Sequence, residues 1–142
     1  MKQLALPSVA VATLLYVVLN HAWLTVANSP SVSEGSRPLL KSLCVALAIV
    51  VYVAMAVFFA VREESSWVRR TALNSGAAVA IALILIIASS VVWRRGQFFH
   101  DVEPLARLPS LAAMVLGAAV LAAALSPLLG LLARVVLRRA PN

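Results

Sequence analysis

The sequence predicts an all-α fold: an integral membrane four-helix bundle with short connections, formed by the whole chain, 1–142, as a single domain. Three observations carry that expectation. Four apolar runs, at about residues 4–27, 39–61, 76–93 and 111–137, are each long enough to cross a bilayer, because ~20 helical residues at ~1.5 Å each match a ~30 Å hydrocarbon core. Of the 142 residues, 63% are hydrophobic and 12% charged, whereas soluble domains lie near half apolar and a quarter charged. The arginines gather at the ends of the apolar runs, where their aliphatic stems let the charge reach the headgroups.

The first run, Leu4–Ala27, is free of formal charge yet carries Asn20 and His21 side by side. His21 is its one side chain able to change charge near neutral pH. Met1-Lys2 ahead of this run and Thr25-Val26-Ala27 at its end also fit a cleavable signal peptide. The run is longer than the usual ~7–15-residue signal core, so a retained helix is expected. The polar segment 28–38, NSPSVSEGSRP, is a connection rich in turn-forming residues. The second run, 39–61, has Lys41 near its entry, placed to lift its ammonium to the interface.

Residues 62–75, REESSWVRRTALNS, read as the second connection, with Ser66 able to cap a helix beginning at Trp67. The third run, Gly76–Trp93, is short and is expected to stand upright. Residues 94–109, RRGQFFHDVEPLARLP, form the third connection. The fourth run carries Pro127, which removes a backbone hydrogen bond and predicts a kink, with Ser126 placed to satisfy the freed carbonyl.

Depth points to a candidate binding layer. Counted from the end of the first helix, His21 and Asn20 lie ~10 and ~12 Å deep. Lys41, Ser42 and Cys44 enter from that side, and Ser89 and Ser90 lie just beneath Trp93 there. Asn20, His21, Lys41, Ser42, Ser89 and Ser90 are thus expected to form one outward polar layer, at the level marked by Trp23 and Trp93. It would serve as a clasp between helices or as a pocket for a headgroup, a solute or a partner helix. The opposite half shows only scattered Ser8, Thr13, Tyr52 and Ser126. A second pattern concerns packing: Ala118, Ala122, Ser126 and Gly130 recur every four positions, giving a smooth ridge for close helix approach. Gly76 and Ala80, and Ser42, Ala46 and Ala54, offer matching spacing.

Several classes are disfavoured. The net charge of +7 does not indicate nucleic acid, since no basic stretch is interleaved with base-stacking aromatics. The single cysteine, Cys44, excludes an intramolecular disulfide and reads as an apolar filler. No nucleophile elbow, P-loop or H-E-x-x-H occurs, and all five carboxylates lie in connections. Small four-helix drug exporters rely on a glutamate embedded in the first helix, which this chain lacks. His100, Asp101 and Glu103 match no ligand spacing, and Phe98 and Phe99 beside Arg94 and Arg95 suit a segment at headgroup level. No metal or other cofactor is expected. The leading expectation is a non-catalytic accessory subunit or assembly partner of a larger membrane complex. Alternatives are a small oligomeric transporter or channel, and a lipid-binding or lipid-modifying protein. The expected partners are membrane lipids and another membrane protein or a further copy of the chain.

Orientation follows from the basic residues. Lys2, Arg62, Arg69, Arg70, Arg134, Arg138 and Arg139 lie on the side of the termini, and Arg37, Lys41, Arg94, Arg95 and Arg107 on the other. Seven against five places both termini in the cytoplasm, in a bacterial inner membrane. In a Cys44→Ala background, cysteines at Ser33 and Gln97 should react with a membrane-impermeant thiol reagent in intact cells. A cysteine at Ser65 should react only after lysis, and its labelling in intact cells reverses the orientation.

Overall fold

The computed structural model describes residues 5–62, 66–93 and 104–139, with side chains for 5–61, 66–89 and 108–137. Among them the chain is all-helical: α1 (Leu6–Asn28), α2 (Arg37–Arg62), α3 (Trp67–Trp93) and α4 (Pro104–Arg139). Each is long and apolar enough to cross a membrane. The protein is therefore an integral membrane protein, since the bilayer leaves only closed hydrogen-bonding units such as helices to span it.

Local chemistry sets the helix ends. Pro7 sits in the first turn of α1, where a missing N–H costs nothing. At the other end of α1 the Ser29 N–H donates to Thr25 O at 2.9 Å, and Asn28 Nδ2 donates to Leu24 O at 2.8 Å. The Arg37 guanidinium then donates to Ser29 O at 3.1 Å, tying the start of α2 to the end of α1. Ser66 precedes α3 with φ 57, a left-handed conformation that costs a non-glycine residue ~1 kcal/mol or more. Its carbonyl accepts the Arg70 N–H at 3.1 Å.

Two span boundaries differ from the sequence reading. The third span begins at Trp67 rather than Gly76, so Thr71, Asn74 and Ser75 lie inside a transmembrane helix, not in a connection. The fourth begins at Pro104, and the helix runs on through Pro109 and Pro127. The helix itself begins at Trp67, as the sequence predicts, and polarity misplaced only the start of the membrane span within it. A polar residue ends an apolar run, but it does not end a helix whose polar side chains are enclosed by protein instead of lipid.

The helices alternate in direction, so the starts of α1 and α3 share one end with the finishes of α2 and α4. In cross-section α2 and α3 touch along the middle, each flanked by both α1 and α4, while α1 and α4 do not meet among the described residues. Among the described residues the buried side chains fall at 9–13, 55–60, 71–82 and 122–126, toward the end holding the termini and at mid-bundle. Toward the other end the described apolar side chains are half-buried or exposed.

Small residues permit the close approach. A Cβ on Gly130 would lie 2.6 Å from the Ala60 Cβ and 2.9 Å from the Trp67 ring. A Cβ on Gly76 would meet Ala119 O and the Ala123 Cβ, both at 3.2 Å. Ala122, Ser126 and Gly130 are buried and Ala118 half-buried along the side of α4 turned to α2 and α3. Arg134 fastens this end: its Nε donates to Ala60 O of α2, and its guanidinium carbon lies 4.5 Å over the Trp67 ring of α3. Accordingly, Gly130→Ala and Ala122→Leu should each lower stability in detergent by about 1–3 kcal/mol through overpacking. Leucine at the exposed Val120 should leave the melting temperature unchanged, and equal behaviour of all three variants would refute the packing.

Candidate functional site

Two polar regions emerge, one at each end of the bundle. The packed end holds the buried one: Thr13, Thr71, Asn74, Ser75 and Ser126 are all enclosed. The helical register places Thr71, Asn74, Ser75 and Ala78 along one side of α3. Asn74 is the centre of this region. Its Oδ1 accepts the backbone N–H of Ala5 at 2.9 Å, and its Nδ2 donates to Arg70 O at 2.7 Å. Asn74 of α3 thereby supplies the cap that α1 lacks locally, because Ala5 has no side-chain acceptor for the orphan donors of the first turn.

The neighbouring groups pair across helices in the same way. Thr13 Oγ1 donates to Ala78 O at 3.4 Å, and Tyr52 OH donates to Ala122 O at 2.6 Å. Ser126 Oγ reaches Thr71 O at 3.3 Å and Ala123 O at 3.4 Å. Ala123 is four residues before Pro127, so its carbonyl is the one the proline leaves without an N–H. Thr71 Oγ1 and Ser75 Oγ are buried without a partner. The expectation of a nearly apolar terminus-side half was therefore wrong. The sequence predicts a helix from Trp67 but places Thr71, Asn74 and Ser75 in the second connection, ahead of the third span.

The open end carries the other region, a groove of about 370 Å³. Tyr16, Leu19, Asn20 and Trp23 of α1, Cys44, Val45 and Ala48 of α2, and Ile86 of α3 form its walls. Asn20 Nδ2 and Tyr16 OH are enclosed there without hydrogen-bond partners. At the rim, Lys41 Nζ lies 5.1 Å from the centroid of the Trp23 ring, a cation–π contact that holds the ammonium over the groove mouth.

Of the predicted outer layer, the structure brings together Asn20 and Cys44, with Lys41 above them. His21 is exposed and Ser42 is exposed; neighbouring residues on a helix point ~100° apart, so when Asn20 turns to the groove His21 turns elsewhere. Ser89 donates to Ile86 O of its own helix at 2.9 Å. The side chains of Ser90, Trp93 and Arg107 lie outside the described residues, as do Lys2, Glu63, Glu64, Ser65, Arg94, Arg95, Phe98, Phe99, His100, Asp101 and Glu103. Among the described residues no group of three or more His, Cys, Asp or Glu side chains is placed to hold a metal ion. Sequence reasoning missed Tyr16 and Asn74. Tyr16 precedes Asn20 by four residues, a helical spacing that could have flagged it.

The buried region separates paired from unpaired groups. Asn74→Leu should destabilise the fold by about 1–2 kcal/mol, because the Ala5 N–H loses its acceptor. Ser75→Ala, which removes an unpartnered hydroxyl, should be neutral or stabilising. Thermal melts in one detergent compare them, and an Asn74 variant as stable as the parent would refute the cap.

No protein family, no curated protein and no solved structure matches the chain.

Proposed function

We propose that the chain is a non-catalytic membrane subunit that associates with another transmembrane protein through the outer face of α4, and that it resides in a bacterial inner membrane with both termini in the cytoplasm. The observation that carries this reading is Gly117. It faces away from the buried ridge, with nothing within 4 Å of the position of a Cβ. Ala113 and Ala124, both exposed, lie on the same side. A glycine in a helix costs ~1 kcal/mol relative to alanine, and packing among the described residues gives no return for it. Small residues at such spacing let a second helix approach closely in a bilayer, where apolar surface alone drives no association.

The interior supports the same reading. Its buried polar side chains among the described residues are hydroxyls and one amide, groups suited to joining helices, with no buried acid or base among them to activate a hydroxyl. The orientation rests on the seven-to-five distribution of basic residues. A small oligomeric transporter is the second reading, favoured by the unpartnered hydroxyls of Thr71 and Ser75 inside the bundle.

Gly117→Ile should reduce the mass of the solubilised native assembly toward that of the single chain while the melting temperature stays unchanged. In a Cys44→Ala background, cysteine at Gly117 should cross-link to a second, different membrane protein. An unchanged assembly overturns the proposal, and cross-linking to its own copies alone replaces the subunit with a homo-oligomer.

A further inference from the structure

We infer that the groove at the open end is a binding site for one anionic phospholipid of the adjacent leaflet. The inference rests on a different surface from α4's outer face and stands independently of the subunit reading. Three features of the groove meet the three parts of such a molecule, in the order in which they occur in a bilayer.

The mouth is cationic. Arg37 and Lys41 are one helical turn apart on α2, in register with Cys44, Val45 and Ala48 of the groove wall. Arg37 is half-buried, held by its bond to Ser29 O, and its Nε has no partner. Lys41 is half-buried and fixed over Trp23. Two cations held at headgroup level attract a phosphate, and a lysine lends itself to this because its stem lies along apolar surface while the ammonium reaches upward. Glu34, the carboxylate in the same connection, is exposed.

Below the mouth comes a hydrogen-bond donor. Asn20 lies two turns inside the end of α1, ~12 Å deep, and its Nδ2 is enclosed without an acceptor. An unpaired amide N–H at the edge of hydrocarbon is costly, and an ester carbonyl of a lipid supplies the missing acceptor at that level. Beside and below Asn20 the walls are otherwise apolar, with Val45 and Ala48 on one side and Ile86 on the other, down to the enclosed Tyr16 hydroxyl. From Trp23 to Tyr16 the groove follows α1 for ~10 Å, in the direction an acyl chain takes. A soluble anion matches only the mouth, and a neutral lipid only the lower two levels.

Native mass spectrometry of the full chain, released from micelles containing equal phosphatidylglycerol and phosphatidylcholine, tests the site. The parent should retain one phosphatidylglycerol in preference to phosphatidylcholine. The Arg37→Gln/Lys41→Gln double variant should lose that preference by about tenfold, while Arg69→Gln at the opposite end should keep it. Asn20→Leu should weaken retention of both lipids alike, and Ala48→Phe, which fills the groove, should abolish it. Melting temperatures of all variants check folding. If the double variant misfolds, Lys41→Gln alone should still reduce the preference and Lys41→Arg should restore it. Undiminished preference in a folded Lys41→Gln or Arg37→Gln/Lys41→Gln protein overturns the site. Displacement of the lipid by millimolar inorganic phosphate overturns it as well, by making the mouth a free-anion site.

Discussion

A polar group facing hydrocarbon has no water to fall back on, and the rest of this bundle depends on how that constraint is met at Asn74. Its amide is wholly enclosed, closes the start of α1 through the Ala5 N–H, and returns its own N–H to Arg70 O. One side chain thus joins the first and third helices at the end where both begin. The same requirement accounts for Thr13 on Ala78 O, Tyr52 on Ala122 O and Ser126 on Thr71 O. Each is a hydroxyl from one helix bonded to the backbone of another. In a bilayer such bonds contribute modestly one by one, but together they specify which helix lies beside which.

Close approach and hydrogen bonding reinforce each other there. The backbone oxygens of Ala60, Ala78 and Ala122 are reachable because alanine and glycine leave them uncovered, and Gly130 admits Ala60 and Trp67 at distances no larger residue tolerates. Arg134 turns the arrangement to account at the membrane edge, where it meets a carbonyl of α2 and the first ring of α3 together. Charge, aromatic face and backbone acceptor converge where three helix ends meet, so the packed end is held by directional contacts.

Among the described residues no comparable set of contacts closes the other end. There α1, α2 and α3 line the groove that holds Asn20 and Tyr16, where Asn20 Nδ2 and Tyr16 OH stay enclosed and unpartnered. A groove placed away from the buried polar contacts can receive a molecule from a single leaflet without disturbing them. The outer face of α4 is a different kind of surface. Its exposed Gly117 has room around it, and the described residues put nothing there.

The four helices, their order and the membrane as solvent were legible in the sequence, because apolar length and the exclusion of charge are properties of each segment alone. The place of Asn20 and Lys41 toward one end of their helices was legible too, since rise per residue converts sequence position into distance along the helix. The sequence also named Ser126 as the group beside the carbonyl freed by Pro127, a relation contained within one helix. Tertiary structure alone decided that Thr71, Asn74 and Ser75 belong to a spanning helix, because whether a polar side chain is tolerated depends on what the neighbouring helices offer it. It alone turned His21 outward and left Asn20 in the groove, since rotation about a helix axis is set by packing and not by depth. Length and hydropathy determine where a residue lies along the membrane normal; only the contacts between helices determine which way it faces.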